Sequence, residues 1–224
     1  MSAACPVLVF AKAPLPGQVK TRLIPMLGKA GAAILHKNLL WQSLATASSA
    51  GCGPVQLWCA PSAEHPFFKL CGRKFRLGLH DQCEGDLGAR LSHAFEHALS
   101  GASSALVIGA DSPSLRPDDL RRAADALQQG ADAVIGPALD GGYVLLGLQR
   151  HTPELFRDIE WGSNGVLHQT RAKLLELGWS WDELPERWDV DRPEDVLRLE
   201  MAFPDLSPLP NSGDTGDGRV RQNP

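Results

Sequence analysis

The stretch FAKAPLPGQVKTRL, residues 10–23, follows a short apolar run at 6–10 and precedes the first long helical pattern. Pro14 and Pro16 restrict the backbone of this stretch, and Gly17 allows it to approach a ligand closely. The stretch carries three cations: Lys12, Lys20 and Arg22. The position of this basic loop after a first strand favours a ligand-binding role, because open α/β folds bind ligands at the carboxyl ends of their strands. The cations favour a polyanion such as a phosphate chain.

Two better-known phosphate-binding motifs do not fit this chain. A Walker A motif ends in Gly-Lys-Thr, whereas residues 19–21 read Val-Lys-Thr and Pro14 stands in place of the earlier glycine. A dinucleotide fingerprint is absent as well, since Gly51 and Gly53 are followed by Gln56 where the third glycine belongs. The alternative to a ligand-binding loop is a solvated loop whose charges only maintain solubility.

Length and composition limit the possible classes of protein. A chain of 224 residues fits one domain. The net charge is −4 and the cations outside the first loop are dispersed, which excludes the cationic face of a nucleic-acid-binding protein. The five cysteines form no C-x-x-C pair, so we expect reduced thiols. No run approaches the roughly 20 apolar residues of a membrane span, and the first residues lack the features of a signal peptide. We therefore expect a cytoplasmic protein without nucleic-acid or membrane partners, whose oligomeric state stays open.

Apolar periodicity predicts an alternation of strands and helices. The predicted strands lie at 7–10, 55–60, 75–80, 105–110, 133–137, 143–148 and about 181–184. The predicted helices lie at 29–50, 65–70, from 86 onward, and at 117–130, 163–177 and 193–202. This order predicts one Rossmann-like α/β domain with a mostly parallel sheet covered by helices on both faces. The domain spans 1–203, and the Pro-, Ser- and Gly-rich residues 204–224 are predicted to be a disordered tail.

Four aspartates come at or near the ends of predicted strands: Asp111, Asp140, Asp189 and Asp191. Oxygen ligands suit hard cations, and magnesium is usually held by one or two carboxylates together with substrate phosphates. Each of the four could instead cap a helix or form a turn, and the Asp-Gly-Gly sequence at 140–142 is also a hairpin signal. The combination of a basic loop with strand-end carboxylates favours metal-phosphate chemistry.

Other candidate sites have weaker support. His93 and His97 lie four residues apart on a predicted helix, but the order of a zinc-binding H-E-x-x-H motif is wrong, so a solvated face is favoured. Ser112 lacks the G-x-S-x-G context of a hydrolase nucleophile. The late tryptophans at 161, 179, 181 and 188 fit core packing, with an acceptor pocket as the alternative.

Five segments together resemble a bacterial family of GT-A-fold transferases. They are FAKAPLPGQVKTRL (10–23), GDLGARL (85–91), IGADSPSL (108–115), GPALDGGYVLLGL (136–148) and DVDRPEDV (189–196). The family is described as glycosyltransferase-like or nucleotidyltransferase-like, of the rSAM/selenodomain-associated type, and is related to 2-phospholactate guanylyltransferases. The resemblance covers about the first 200 residues in the same order, and it implies a single GT-A (nucleotide-diphospho-sugar transferase) domain.

The resemblance also implies roles for individual residues. The nucleotide phosphates would be held by Lys12, Gly17, Lys20 and Arg22, and the base and ribose would lie near Gln82, Gly85, Asp86 and Gly88. A magnesium or manganese ion would be held by Asp111, Asp189 and Asp191, and the acceptor would face Asp140, Gly141 and Gly142. The segment at Asp111 reads Ala-Asp-Ser-Pro and departs from the D-x-D of many glycosyltransferases.

Three activities agree with these motifs. The leading hypothesis is a metal-dependent nucleotidyltransferase in which Lys20, Arg22 and Asp111 are the catalytic residues. It would transfer a nucleoside monophosphate from a nucleoside triphosphate to a small phosphorylated or carboxylated acceptor, with release of pyrophosphate. The second hypothesis is a glycosyltransferase that uses a nucleotide-sugar donor. The third is a nucleotide-binding regulator without catalysis.

Overall fold

The structure is a computed structural model and describes residues 4–208. Within these residues seven strands form one sheet in the order β3-β2-β1-β4-β6-β5-β7. The strands are β1 (Val7–Lys12), β2 (Val55–Ala60), β3 (Gly78–Asp81), β4 (Ala105–Ile108), β5 (Ala133–Pro137), β6 (Tyr143–Leu148) and β7 (Trp181–Glu183). Neighbouring strands pair in parallel except for β6, which runs antiparallel to both β4 and β5. The predicted α/β class with a mostly parallel sheet is therefore confirmed.

Among residues 4–208, six α-helices and three short 3-10 helices cover the sheet. The α-helices are α1 (Ile24–Ala50), α2 (Pro66–Phe75), α3 (Leu87–Leu99), α4 (Pro117–Gln128), α5 (Val166–Glu176) and α6 (Pro193–Ala202). The 3-10 helices are Thr21–Leu23, Pro153–Phe156 and Pro204–Leu206. Each helix among the described residues falls short of the length and apolar character needed to cross a bilayer.

Successive side chains of each strand point to opposite faces of the sheet, where they form two hydrophobic layers. Val7 and Val9 of β1 pack with α1, α2 and α4, whereas the intervening Leu8 packs with α3 and α5 on the other face. A third cluster joins the first half of α1 to α6 and includes Trp188. Burying both faces explains why the strands are continuous apolar runs. Trp179 and Trp188 are each 8% exposed, in agreement with core packing.

Several predicted bounds need correction, and among them α1 begins at Ile24 instead of residue 29 and β4 ends at Ile108 instead of residue 110. Phe75 ends α2 instead of starting a strand, and β3 begins only at Gly78. The helix predicted from residue 163 begins at Val166. The predicted tail also begins too early, because Pro204–Leu206 is helical and the Asn38 side-chain amide donates to the Leu206 carbonyl at 3.2 Å. The remainder of the predicted tail, from residue 209, lies outside the described residues.

Candidate active site

A cleft of about 640 Å³ opens at the carboxyl ends of β1 and β4. The residues predicted from the motifs that line it are Lys12, Lys20, Arg22, Gln82, Gly85, Asp86, Asp111 and Asp191. This is the edge of a parallel sheet at which open α/β folds bind ligands. The basic loop and the acidic residues therefore meet in one concave site.

The side chains of Lys20 and Arg22 lie at different depths in the cleft, and the backbone conformation of Lys20 contributes to this difference. Lys20 has a φ of 46°, in the left-handed region that non-glycine residues rarely occupy, and it directly precedes the 3-10 helix at 21–23. The neighbouring Val19 and Leu23 are buried in the protein. The Lys20 side chain is consequently 6% exposed, whereas that of Arg22 is 64% exposed. One cation lies deep in the cleft and the other lies at its mouth.

Both cations are paired with carboxylates. Lys20 Nζ donates to Asp111 Oδ2 at 3.0 Å and lies 3.9 Å from Asp191 Oδ1. The Arg22 guanidinium donates to Asp191 Oδ2. The four side chains form a line of alternating charge, Asp111, Lys20, Asp191, Arg22. Residues separated by 91 and 169 positions in the chain thus form one electrostatic unit.

Two extended segments place the aspartates. Val190 N donates to the Asp111 carbonyl at 3.0 Å. The hydroxyls of Ser112 and Ser114 both donate to the Trp188 carbonyl, at 2.8 and 2.7 Å. The segment after β4 and the segment at 187–191 are therefore joined by several hydrogen bonds. The Ser112 hydroxyl therefore has a structural role in joining these two segments.

A buried ion pair anchors the same region to α4. The Arg187 guanidinium donates to both oxygens of Asp119, at 2.9 and 2.6 Å. Asp119 is 3% exposed at its side chain and also accepts from Arg116 N at the start of α4. Arg187 N donates to the Pro137 carbonyl, which ties the segment to β5. This pair holds residues 187–191 in place beside Asp111.

The aspartates differ in their electrostatic environments. Burial alone would raise the pKa of Asp111, but the neighbouring Lys20 outweighs burial and the pKa lies below its usual value. Burial, Asp111 and Asp140 together raise the pKa of Asp189 to about 7, and Lys20 offsets only part of this. Carboxylates are thus gathered at Asp189 with too little positive charge to neutralise them. A divalent cation would supply the missing charge.

The predicted set of three metal ligands stays a prediction. Within residues 4–208 no three His, Cys, Asp or Glu side chains converge as a metal site. Asp111 is paired with Lys20, Asp191 is paired with Arg22, and Asp189 lies outside the lining of the cleft. Asp111 contributes to the raised pKa of Asp189, so these two carboxylates interact. One or two carboxylates are enough for a magnesium ion that also binds substrate phosphates, so the chemistry of these residues fits such an ion.

Of the residues predicted to lie near the base and the ribose, three line the cleft and Gly88 does not. Gln82 lines the cleft, but its amide donates to the Trp58 carbonyl at 2.8 Å and its oxygen accepts from Arg90 at 3.4 Å. Gly85 also lines the cleft, and its carbonyl accepts from Arg90 Nε at 3.1 Å. Asp86 lines it too and caps α3 by accepting from Ala89 N at 2.8 Å. These groups fix Arg90 and the start of α3 at the cleft wall.

Two predicted nucleotide-binding glycines lie outside the cleft lining. A Cβ on Gly88 would lie 2.6 Å from Trp161 Nε1, so this glycine allows close packing of α3 against the loop that follows Pro153–Phe156. Gly17 has a φ of 85° and lies against the Lys29 side chain. Their glycine requirement comes from packing and from backbone conformation, respectively.

The predicted acceptor turn is the tip of the β5–β6 hairpin, as the Asp-Gly-Gly sequence indicates. Asp140 Oδ1 accepts from Gly142 N at 3.0 Å. Gly141 has a φ of 89°, and a Cβ there would lie 2.1 Å from the Asn164 carbonyl oxygen. The turn lies outside the lining of the main cleft, although Asp140 contributes to the raised pKa of Asp189.

Two ionisable residues of the cleft lining, His36 and Arg90, were given no role by the sequence analysis. His36 of α1 is 7% exposed, and its Nε2–H donates to the Lys12 carbonyl at 2.8 Å, while its Nδ1 is buried without a hydrogen-bond partner among the described residues. Arg90 of α3 lines the cleft wall. His36 lies in an ordinary helical pattern outside the quoted motifs, whereas Arg90 lies within the quoted segment GDLGARL but was assigned no role. The exposed His93 and His97, by contrast, contact the Trp58 ring edge-on and lie outside the lining of the cleft.

Comparison with known proteins identifies the family. A family model described as "Uncharacterized protein conserved in bacteria (DUF2064)" matches residues 43–163, more than half of the chain. The protein belongs to this family. The matched residues include Asp111 and Asp140 but neither the loop at 10–23 nor the aspartates at 189 and 191. A search of curated proteins found no match.

Solved structures with the same fold extend the comparison beyond the family match. A protein of Desulfovibrio desulfuricans G20, described provisionally as a nucleotide-diphospho-sugar transferase, is 28% identical with a TM-score of 0.79, over 100% of this chain and 92% of its own. A nucleotidyl transferase from Methanothermobacter is 18% identical with a TM-score of 0.58, over 90% of this chain and 98% of its own. These matches confirm the predicted fold.

A third solved structure contains ligands. Glucosyl-3-phosphoglycerate synthase from Mycobacterium tuberculosis, in complex with Mn²⁺, UDP and its product, is 12% identical with a TM-score of 0.56. The match covers 94% of this chain and 82% of that one. The first two proteins are described as transferases, in agreement with the predicted class of enzyme.

Proposed function

We propose that the protein is a metal-dependent nucleotidyltransferase. It transfers a nucleoside monophosphate from a nucleoside triphosphate to a small phosphorylated or carboxylated acceptor, and pyrophosphate is released. The observation that carries this proposal is the contact of Lys20 and Arg22 with Asp111 and Asp191 inside one cleft. Cations that suit a polyphosphate and carboxylates that suit a divalent cation meet there at the expected edge of the sheet.

The reaction requires charge neutralisation more than covalent chemistry by the protein. An acceptor oxygen forms a bond to the α-phosphorus, and the bond from that phosphorus to the bridging oxygen of the β-phosphate breaks. Lys20 and Arg22 neutralise the charge that develops on the leaving pyrophosphate, which is electrostatic stabilisation of the transition state. Arg90 and Lys12 supply further positive charge at the cleft wall.

Asp111, Asp189 and Asp191 would hold a divalent cation, Mg²⁺ or Mn²⁺. Such a cation would polarise the α-phosphoryl group and would offset the repulsion among the carboxylates. The hydrogen bonds from Ser112 and Ser114 to Trp188 and the Asp119–Arg187 pair hold the segments that carry these aspartates in position. Asp140 at the hairpin tip, with Gly141 and Gly142, is assigned to the acceptor side.

Glycosyl transfer from a nucleotide sugar is the second candidate. The observation that favours it is the similarity to the D. desulfuricans protein over the whole chain. Both activities use the same nucleotide cleft and metal carboxylates. They differ in the product, since glycosyl transfer releases a nucleoside diphosphate and nucleotidyl transfer releases pyrophosphate.

The test is a screen for both products. Purified protein is incubated with Mg²⁺, each of the four ribonucleoside triphosphates or a set of nucleotide sugars, and a panel of phosphorylated and carboxylated acceptors. We expect pyrophosphate with at least one triphosphate. Binding of a nucleotide sugar without binding of any triphosphate would reject the proposal, and binding without any product would indicate a regulator.

Asp111→Asn tests the assignment of the site. Loss of one metal-binding carboxylate removes several kcal/mol of transition-state stabilisation, so we expect turnover to fall by at least about 100-fold in protein that circular dichroism shows to be folded. Because asparagine leaves Lys20 without its closest carboxylate, we also expect a lower unfolding temperature. Asp118→Asn is the matched control, because Asp118 is exposed on α4 and pairs with Arg121. Equal activity of the two variants would contradict the assignment.

A further inference from the structure

We propose that Lys20 and Arg22 act as a latch that keeps a divalent cation off the cleft carboxylates until a polyphosphate binds. This inference rests on the proposed function of the cleft. In the structure both loop cations neutralise Asp111 and Asp191, which are carboxylates of the same cleft. Polyphosphate binding and metal binding are therefore coupled, with the polyphosphate as the ligand that opens the site.

The depth of Lys20 is the first argument for a latch. With a side chain that is 6% exposed, its ammonium group cannot turn to bulk water and needs an anionic partner inside the cleft. Asp111 is that partner at 3.0 Å, and Asp191 contributes from 3.9 Å. A metal ion approaching Asp111 meets a positive charge already in contact with the same carboxylate oxygen, Oδ2. The repulsion between two cations at such distances is strong inside a protein.

The cleft also offers the exchange that releases the latch. A polyphosphate carries several negative charges and can accept from Lys20 and Arg22 together, which frees both aspartates at once. Arg22 is 64% exposed at the mouth, so it can turn toward a ligand without disturbing the packed residues around it. The left-handed backbone at Lys20 fixes where the deep cation lies, so its exchange of partners requires rotation of the side chain only.

Thermodynamic linkage extends the effect in both directions. If the polyphosphate raises the affinity for the metal ion, the metal ion raises the affinity for the polyphosphate by the same factor. If Lys20 or Arg22 is replaced by a neutral residue, a metal ion should bind the unpaired carboxylates without the help of a polyphosphate. The loop therefore has a second task besides holding phosphates.

The experiment measures Mn²⁺ binding to ligand-free protein through the electron paramagnetic resonance signal of free Mn²⁺. Wild type is compared with Lys20→Met and Arg22→Met, and the matched control is Lys12→Met, because the exposed Lys12 lines the same cleft and makes no ion pair within residues 4–208. We expect Mn²⁺ to bind Lys20→Met at least about tenfold more tightly than wild type. Arg22→Met should change in the same direction, and Lys12→Met should stay within about twofold.

A second measurement separates this inference from the proposed function. Tripolyphosphate is titrated into metal-free wild type in EDTA by calorimetry, and binding is expected. If tripolyphosphate does not bind, the proposed function fails. If it binds but Lys20→Met and Arg22→Met bind Mn²⁺ no more tightly than wild type, the latch is rejected and the proposed function stands. Arg22→Met keeps the test decisive if Lys20→Met unfolds, since Arg22 is largely exposed.

Discussion

At the scale of single residues, Gly141 shows how tightly the hairpin tip is fitted. It combines a positive φ with direct contact to the backbone of the loop before α5, and Leu167 N donates to its carbonyl at 2.9 Å. The Asp-Gly-Gly sequence predicted the turn. The approach of Asn164 was beyond prediction, because it depends on how a loop more than twenty residues later folds back.

Gly141→Ala should destabilise the protein more than an alanine at another glycine of the same conformation. Gly162 is the matched control, with a φ of 87° against 89° and nothing within 4 Å of an added Cβ. Gly162→Ala should cost about 1–2 kcal/mol, the strain of an L-residue in the left-handed region. Gly141→Ala should cost at least about 2 kcal/mol more, because the backbone of residue 164 must move. Urea unfolding measures both, and equal costs would show that the turn can shift freely.

At the scale of elements, the sequence predicted the strands and helices correctly where particular residues mark their ends. The bounds of β2, β5, β6 and α6 agree with the predicted ones, since Gly, Pro or Asp punctuates each apolar run. The region at 75–80 was misassigned because Phe75, Leu77 and Leu79 alternate with polar residues as in a half-buried strand. In the structure Phe75 ends α2, Leu77 lies in the following loop and Leu79 lies in β3. All three side chains pack against the same hydrophobic cluster.

The link between α4 and the segment at 187–191 leads to a prediction about stability. Arg187→Met leaves the 3% exposed carboxylate of Asp119 without its cation, and breaking one partner of a buried pair costs about 3–5 kcal/mol. Arg171→Met is the control, because Arg171 and Glu183 form a pair of similar geometry that is 39% and 30% exposed. That control should cost about 1 kcal/mol or less.

The same pair allows a rescue experiment. Asp119→Asn in the Arg187→Met background removes the unpaired charge and keeps an acceptor for Arg116 N, so it should recover part of the lost stability. Chemical denaturation of the single and double variants gives the coupling free energy. No recovery would mean that Arg187 acts through packing and not through its charge.

At the scale of the whole molecule, the sequence predicted which residues make up the candidate site better than it predicted the contacts between them. Strand-end reasoning correctly brought Asp111, Lys20 and Arg22 together. It could not foresee that the cations occupy the carboxylates, because that depends on the backbone angle of Lys20. Nor could it find His36, whose contact with Lys12 follows from the packing of α1 beside β1.

Three histidines give the whole protein a dependence on pH. Burial lowers the pKa of His36, His80 and His151, and His97 lowers that of His80 further. Because the unfolded chain binds protons first, the stability that these groups contribute is full above about pH 6.5 and is lost as the pH falls through the native pKa values. The free energy of unfolding should fall by up to about 1.4 kcal/mol per pH unit for each proton.

The measurement needs a background without Asp189. Its pKa is raised to about 7, so it contributes stability of the opposite sign, which is lost as the pH rises from about 4 to 7. In Asp189→Asn protein, urea titrations between about pH 7.5 and 5 should show the acid loss, and His36→Gln should reduce it. His93→Gln removes an exposed histidine of α3 and should leave the loss unchanged. A loss that is the same in both variants would refute the role of His36.

The cleft and the hairpin turn beside Asp189 come from different segments of the chain. Among the described residues, the cleft lining comes from residues 10–111 with Asp191 as the exception, whereas the turn at 140–142 belongs to a hairpin whose β6 is inserted between β4 and β5. Mutations that accumulate in this hairpin alter the neighbourhood of Asp189 and leave the basic loop untouched. Under the proposed function, proteins descended from such an ancestor can differ in their acceptors and keep the same phosphate-binding loop.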